Sequence, residues 1–365
     1  MNEYVFGLIK QFDIAGELTD ERPYGSGHIN DTRLVTFNTA CGEQKYILQK
    51  INKNVFKRPD QLMENYVAVT EFLKKDILER GGDPMRETLN VIKTKSGDNF
   101  LCDENGDFWR LLVFVKDSAS FDRVETPEQF YSSAVAFGNF QYMLRKFPAE
   151  TLHETIPDFH NTPDRYRLFL EAVEQDLAGR RGSVEKEIEF VKERCEFAQT
   201  LENAHKEGKL PLRVTHNDTK FNNILFDKDT GDALCIIDLD TIMPGYSVTD
   251  FGDAIRSGAT TAAEDETNLS LVKFNIALYE TYVKGFIEGA HGGLTAGEIE
   301  LLPVGAMMMT FECGMRFLTD YLNGDNYFKI HREGQNLDRA RNQFKLLAEM
   351  EAHFDEMNNI VKKYS

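Results

Sequence analysis

One short stretch carries side chains that can do acid–base and metal chemistry together: Val214-Thr215-His216-Asn217-Asp218-Thr219-Lys220-Phe221-Asn222-Asn223-Ile224-Leu225-Phe226. The pattern is H-x-D-x-x-x-x-N, and an apolar run, Ile236-Ile237-Asp238-Leu239-Asp240, places a second carboxylate twenty positions after Asp218. Phosphoryl transfer uses this set: a carboxylate to accept a hydroxyl proton, plus an Asn and another carboxylate to hold Mg²⁺ on a nucleotide. Mg²⁺ takes hard oxygen ligands, one or two of them from carboxylates, with phosphate and water completing the shell. Asp218 is therefore the candidate base, and Asn223 and Asp238 are candidate metal ligands. Asp240 shares a strand face with Asp238 and is a candidate for either the metal shell or a substrate hydroxyl. His216 is read as a brace for the loop, held by hydrogen bonds in a turn rich in Asn and Asp.

The elements that must position these groups come in two kinds. Val5, Phe6, Ile9 and Phe12 recur at helical spacing, predicting a helix over 3–14. Tyr24-Gly25-Ser26-Gly27-His28-Ile29-Asn30 then precedes two β-rich runs, 32–37 and 44–51. A glycine turn between such strands lets backbone N–H groups approach phosphates closely. A helix over 58–80 and a hairpin turning at Asp103-Glu104-Asn105-Gly106 complete a sheet of about five strands. The sole tryptophan, Trp109, is expected in its core. Beyond Lys116-Asp117-Ser118-Ala119-Ser120 the pattern turns helical, with starts at Thr126-Pro127, Thr162-Pro163, Ser183 (running to Gly208) and Thr295, and a last helix over 337–362. Met307, Met308, Met309 and Phe311 read as packing. The expected fold class is α+β and bilobal: a nucleotide-binding β lobe over residues 1–115, a hinge at 116–122, and a larger helical lobe over 123–365.

Composition bounds the function. The 365 residues suit two lobes, and 41% hydrophobic with 28% charged residues is ordinary for a globular enzyme. A net charge of −18 argues against nucleic acid or an anionic membrane as partner, since both call for a basic face. Five scattered cysteines without a C-x-x-C pair suggest neither zinc nor a disulfide framework. The opening residues lack a basic n-region and no run approaches a membrane span, so a soluble, cytoplasmic protein with a small-molecule substrate is expected.

Val214–Phe226 and the layout around it resemble the aminoglycoside phosphotransferase/choline kinase superfamily, which shares the protein-kinase-like fold. Residues 237–245, Asp250-Phe251-Gly252-Asp253 and Glu312-Cys313-Gly314-Met315-Arg316-Phe317-Leu318 are similar, more narrowly, to the N-acetylhexosamine 1-kinases. That resemblance implies transfer of the ATP γ-phosphate to the anomeric hydroxyl of N-acetylglucosamine or N-acetylgalactosamine, with ATP and Mg²⁺ as cofactors. It implies Asp218 as base, Asn223 and Asp238 on the metal, and Gly25, Ser26, Gly27 and Asn30 in the phosphate loop. Phe114, Val115 and Lys116 fall where adenine would be contacted, and Asp250 and Asp253 would brace the loop. Gln49 departs from the pattern, standing where the third strand normally carries a phosphate-binding cation. Strand alternation points Lys50 to the other face, so Lys220 or Gln49 with backbone donors must serve. For the acceptor the candidates are His28, Asp218, Arg316 and Tyr327, with Arg316 open to an ion pair with Glu312 or Asp320 instead. Choline, homoserine, methylthioribose or an aminoglycoside are alternative acceptors, and a nucleotide-binding module without catalysis is the alternative outside enzymes.

Overall fold

A computed structural model describes residues 3–25 and 29–365. The chain opens with α1 (Glu3–Ile9) and three strands, β1 (Glu17–Pro23), β2 (Asp31–Thr39) and β3 (Gly42–Ile51). Helices α2 (Pro59–Glu79) and α3 (Pro84–Glu87) lead to β4 (Val91–Ile92), β5 (Leu101–Cys102), β6 (Phe108–Val113) and β7 (Ser118–Ala119). Then come α4 (Pro127–Met143), α5 (Thr162–Gln175), α6 (Glu185–Lys192) and α7 (Thr200–Lys206). Strand β8 (Arg213–Thr215), the hairpin β9 (Ile224–Asp227) and β10 (Ala233–Ile236), and β11 (Met243–Gly245) follow. The remainder is helical: α8 (Ser247–Gly258), α9 (Ile276–Gly289), α10 (Ala296–Glu300), α11 (Leu302–Leu322), α12 (Gln335–Ala352) and α13 (Phe354–Tyr364). Two compact units result, one of residues 1–119, 146–157 and 225–243, the other of 120–145, 158–224 and 244–365.

In the first unit an antiparallel sheet runs β1-β2-β3-β6-β4, with β5 on the free part of β6, so it has six strands rather than about five. Val5, Leu8 and Ile9 of α1 pack with Phe12, Val35, Leu48, Trp109 and Leu111 into one core. Helix α1 ends at Ile9, short of the expected residue 14. Sheet-type pairing takes over there: Phe12 bridges Thr94 and the Asp13 amide donates to the Lys93 carbonyl at 2.8 Å. The β2–β3 register sets Thr32 opposite Gln49, and the β3–β6 register sets Gln49 opposite Arg110. Directly opposed residues project on one face, so these three side chains form a row across the sheet.

The second unit is built of close-packed helices. A Cβ on Gly138 of α4 would lie 2.2 Å from the Phe286 carbonyl oxygen of α9, and one on Gly252 of α8 equally near the Gly305 carbonyl of α11. These helix pairs approach as they do because glycine occupies the crossing points. Met308, Met309 and Phe311 are buried, as packing requires. The helix expected over 183–208 is divided into α6 and α7, and just past the end of α6 the Arg194 side chain folds back to donate to the Phe190 carbonyl at 2.8 Å. The terminal helix is likewise divided at His353, whose ring meets the Glu349 carbonyl at 2.8 Å. Among the described residues no helix is long and apolar enough to cross a membrane.

Candidate active site

In the second unit β8 delivers the chain into the Asp218 loop, whose shape is set by a carboxylate outside the motif. Asp250, buried in the first turn of α8, accepts from the His216 and Asn217 amides at 2.8 Å each and from Gln141 Nε2 at 3.0 Å. Gln141 also donates to the Val214 carbonyl, and the Thr219 hydroxyl donates to the Asp250 carbonyl at 2.6 Å. Burial pushes the Asp250 carboxyl above its ordinary value in spite of these bonds. Asn217 sits at φ +64°, a left-handed conformation that Asn tolerates better than most residues. His216 is buried edge-on against Phe137, and its Nδ1 accepts the Asp218 amide at 3.2 Å, so its proton belongs on Nε2. Here His216 braces the loop.

Asp218 itself is partly exposed and meets two partners. Lys220 Nζ lies 2.8 Å from Oδ1, and Asn223 Nδ2 donates to Oδ2 at 3.1 Å and to the Asp218 carbonyl at 2.8 Å. Burial alone would raise this carboxyl, but the Lys220 charge and the hydrogen bonds from Lys220 and Asn223 hold it below its ordinary value. It is therefore ionised at neutral pH, as a base must be. With its NH₂ committed to Asp218, Asn223 has Oδ1 left as the atom for a cation. Asp253 pairs with Arg256 at 2.8 Å, and its charge also acts on Lys220.

Arg316 of α11 stands apart in the same unit. Its side chain is only 16% exposed, yet among the described residues its sole charged neighbour within 4.0 Å is Glu312, at 3.9 Å, beyond hydrogen-bond reach. Three rings surround the guanidinium, Phe159, Phe328 and Tyr327 at 5.1, 5.6 and 5.8 Å. Asp320, the other partner considered from sequence, is committed elsewhere: it accepts the amides of Asn326, Tyr327 and Phe328 at 2.8–2.9 Å and so shapes the loop bearing the two rings. Arg165 is close enough that burial and the Arg316 charge both depress its guanidinium pKa.

The first unit holds a different network. Arg110, 1% exposed, donates through Nε and Nη2 to Gln49 Oε1, 2.9 and 2.8 Å away, and pairs through Nη1 with Asp240. Gln49 passes the chain on to the Thr32 hydroxyl at 3.1 Å. Asn30 donates to the other Asp240 oxygen at 2.6 Å and receives the Asn52 amide at 3.0 Å. The Tyr66 ring of α2 lies 4.5 Å beneath the Arg110 guanidinium. Burial would lower the Arg110 pKa, but Asp240 more than reverses this. Asp238, exposed at φ +60°, opens the turn that carries Asp240. Lys50 faces away, paired with Asp107. The Phe114 amide is used by the Lys45 carbonyl at 3.1 Å, its ring meets Tyr24 edge-on at 5.9 Å, and Val115 is buried. The Lys116 carbonyl receives Arg86 at 3.3 Å. Gly25 has φ +80°; Ser26, Gly27 and His28 lie outside the described residues.

Among the described residues no three His, Cys, Asp or Glu side chains gather as a self-sufficient metal site. Asn223 Oδ1 in the second unit and the exposed Asp238 carboxylate in the first are each hard oxygens of the kind Mg²⁺ takes beside phosphate and water. Two residues escaped the sequence reading. Arg110 hides in the apolar run 108–115, where an interior charge was itself the signal. His160 contacts both Glu312 and the Asn217 carbonyl; the clue was Glu312, a carboxylate inside an apolar helix that needs a partner.

Residues 20–282 match the model of the phosphotransferase enzyme family. The whole chain is also similar to solved structures at low identity. A microcompartment-associated aminopropanol kinase shares 14% identity and a TM-score of 0.59, over 98% of both chains. Choline kinase from Cryptosporidium parvum shares 12% at 0.60 over 99% of both. A spectinomycin phosphotransferase in complex with ADP and spectinomycin shares 14% at 0.53, over 99% of this chain and 97% of that one.

Proposed function

The chain belongs to the phosphotransferase enzyme family, and from that premise we propose that it transfers the γ-phosphoryl group of ATP to the anomeric hydroxyl of an N-acetylhexosamine. The observation that carries the acceptor is Arg316: a largely buried guanidinium without a hydrogen-bond partner among the described residues, ringed by aromatics, with Arg165 beside it. Two neighbouring cations disfavour a positively charged acceptor such as choline or aminopropanol. They suit a neutral sugar that offers hydroxyl and amide oxygens to the guanidinium and an apolar face to Phe159 and Tyr327.

In this reading Asp218 orients the C1 hydroxyl and takes its proton as the new O–P bond forms and the bond to ADP breaks. Lys220 supplies charge near the transferring group. Gly25, Ser26, Gly27, Asn30 and the Phe114–Lys116 segment hold the nucleotide, and Arg110 holds Gln49 in place from the neighbouring strand. Asn223 and Asp238 would hold Mg²⁺, with Asp240 turned inward to Arg110; when bound, the ion would neutralise phosphate charge. The test is ADP release across N-acetylglucosamine, N-acetylgalactosamine, choline, aminopropanol and an aminoglycoside. Release with the sugars alone is expected. Release with an amine in their place overturns the acceptor, and none with any acceptor despite ATP binding favours a binding module.

A further inference from the structure

His160 lies in the loop that enters α5, with Nδ1 2.8 Å from Glu312 Oε1 and Nε2 3.2 Å from the Asn217 carbonyl oxygen. A carbonyl oxygen only accepts, and so does an ionised carboxylate, so each ring nitrogen must donate. Glu312 is ionised: burial would raise its carboxyl, but His160, Arg316 and the Thr162 hydroxyl, 2.7 Å from Oε2, hold it below its ordinary value. Asp250 is a second carboxylate on which His160 acts favourably, Arg316 and Arg165 are the cations of the cluster, and the Phe159 ring lies 4.4 Å from the imidazole.

We propose that His160 is a positioning residue, an imidazolium that fixes the Asp218 loop to the helix carrying Glu312 and Arg316. Asn217 is held on both sides, its amide by Asp250 and its carbonyl by His160. That carbonyl belongs to the peptide leading into Asp218, so its orientation sets where the carboxylate points. The same imidazole clamps Glu312, one helical turn from Arg316. Acceptor subsite and base thus share one rigid connection, and a misplacement of the base by an ångström costs about 100-fold in rate. The link to the acceptor rests on the reading of Arg316 given above; the grip on the Asp218 loop does not.

The kinetic test uses whichever acceptor the wild-type enzyme turns over, so an error in acceptor identity leaves it intact. His160→Gln, neutral and able to reach only one partner, is expected to lower kcat about 100-fold while the KM for ATP stays within about threefold. Nitrogen-15 NMR of the wild-type protein at neutral pH should show both His160 ring nitrogens protonated, which needs neither turnover nor a folded variant. A neutral ring, a variant kcat within about threefold of wild type, or a loss shared equally by ATP affinity overturns the proposal.

Discussion

Each unit buries a carboxylate beside groups assigned to chemistry, and the two are satisfied in opposite ways. Asp250 receives backbone amides of the loop it shapes, helped by neutral Gln141. Asp240 receives a full cation, Arg110, plus Asn30, and the cation is shared with Gln49. Amides stay in place whatever the side chains are, so Asp250 imposes a backbone shape. A guanidinium removed from water is held only by its partners, so Arg110 and Asp240 stand or fall together. The loop that needs an unusual backbone, with Asn217 left-handed, has the amide-capping device. The strand lacking its usual cation has the ionic one.

The sharpest break in the comparison comes at the base. Asp218→Asn should lower turnover by roughly 10³-fold while ATP affinity, measured by calorimetry, stays close to wild type. Next, Arg110→Met should destabilise by about 3–5 kcal/mol, and the paired Arg110→Met/Asp240→Leu should recover most of it. Urea denaturation of the two variants decides this. Asp250→Asn, leaving the amides one acceptor oxygen, should cost only about 1–3 kcal/mol; a loss as large as that of Arg110→Met would erase the distinction. Arg316→Met should raise the acceptor KM about tenfold or more without altering that for ATP, since it removes one charged hydrogen bond to the ligand.

The smallest effect is a pH dependence in the first unit. Burial alone would raise Asp103, but hydrogen bonds from Tyr4, the Asp107 amide and Trp109 hold its carboxyl down at about 2. Its folded value lies below the unfolded one of about 3.9, so its stabilisation is complete above that pH and is lost as pH falls toward 2. The only tryptophan donates to it at 2.7 Å, so Trp109 fluorescence should shift across that window and stay flat above it.

What was legible beforehand follows the same division. The loop from Val214 to Phe226 is contiguous, so residue types and spacing displayed base, amide and turn together. His216 reads as a brace because it lies inside the motif, and Asp250 because Asp250-Phe251-Gly252-Asp253 carries the family resemblance. Helix starts marked by Pro after Thr emerged within a residue, and the fold is α+β as expected, the arrangement of the phosphotransferase family. Arg110 was not legible, because its meaning depends on β6 lying beside β3 in one register. His160 was missed for a related reason: its partners, Asn217 and Glu312, are 57 and 152 positions away.

The Arg110–Asp240 pair also dictates a timetable. Arg110 leaves the ribosome 130 positions before Asp240 does, and at 5–20 residues per second the interval is on the order of 10 s. Throughout that time the sheet carries a guanidinium with its counter-ion still unsynthesised, and two of the three segments of its unit follow residue 119. The first unit is therefore expected to lock only after segments 120–145 and 158–224 of the second have emerged. Ribosome-arrested chains exposing Arg110 but ending before Asp240 should be cut readily by protease within the sheet, and those exposing both should resist.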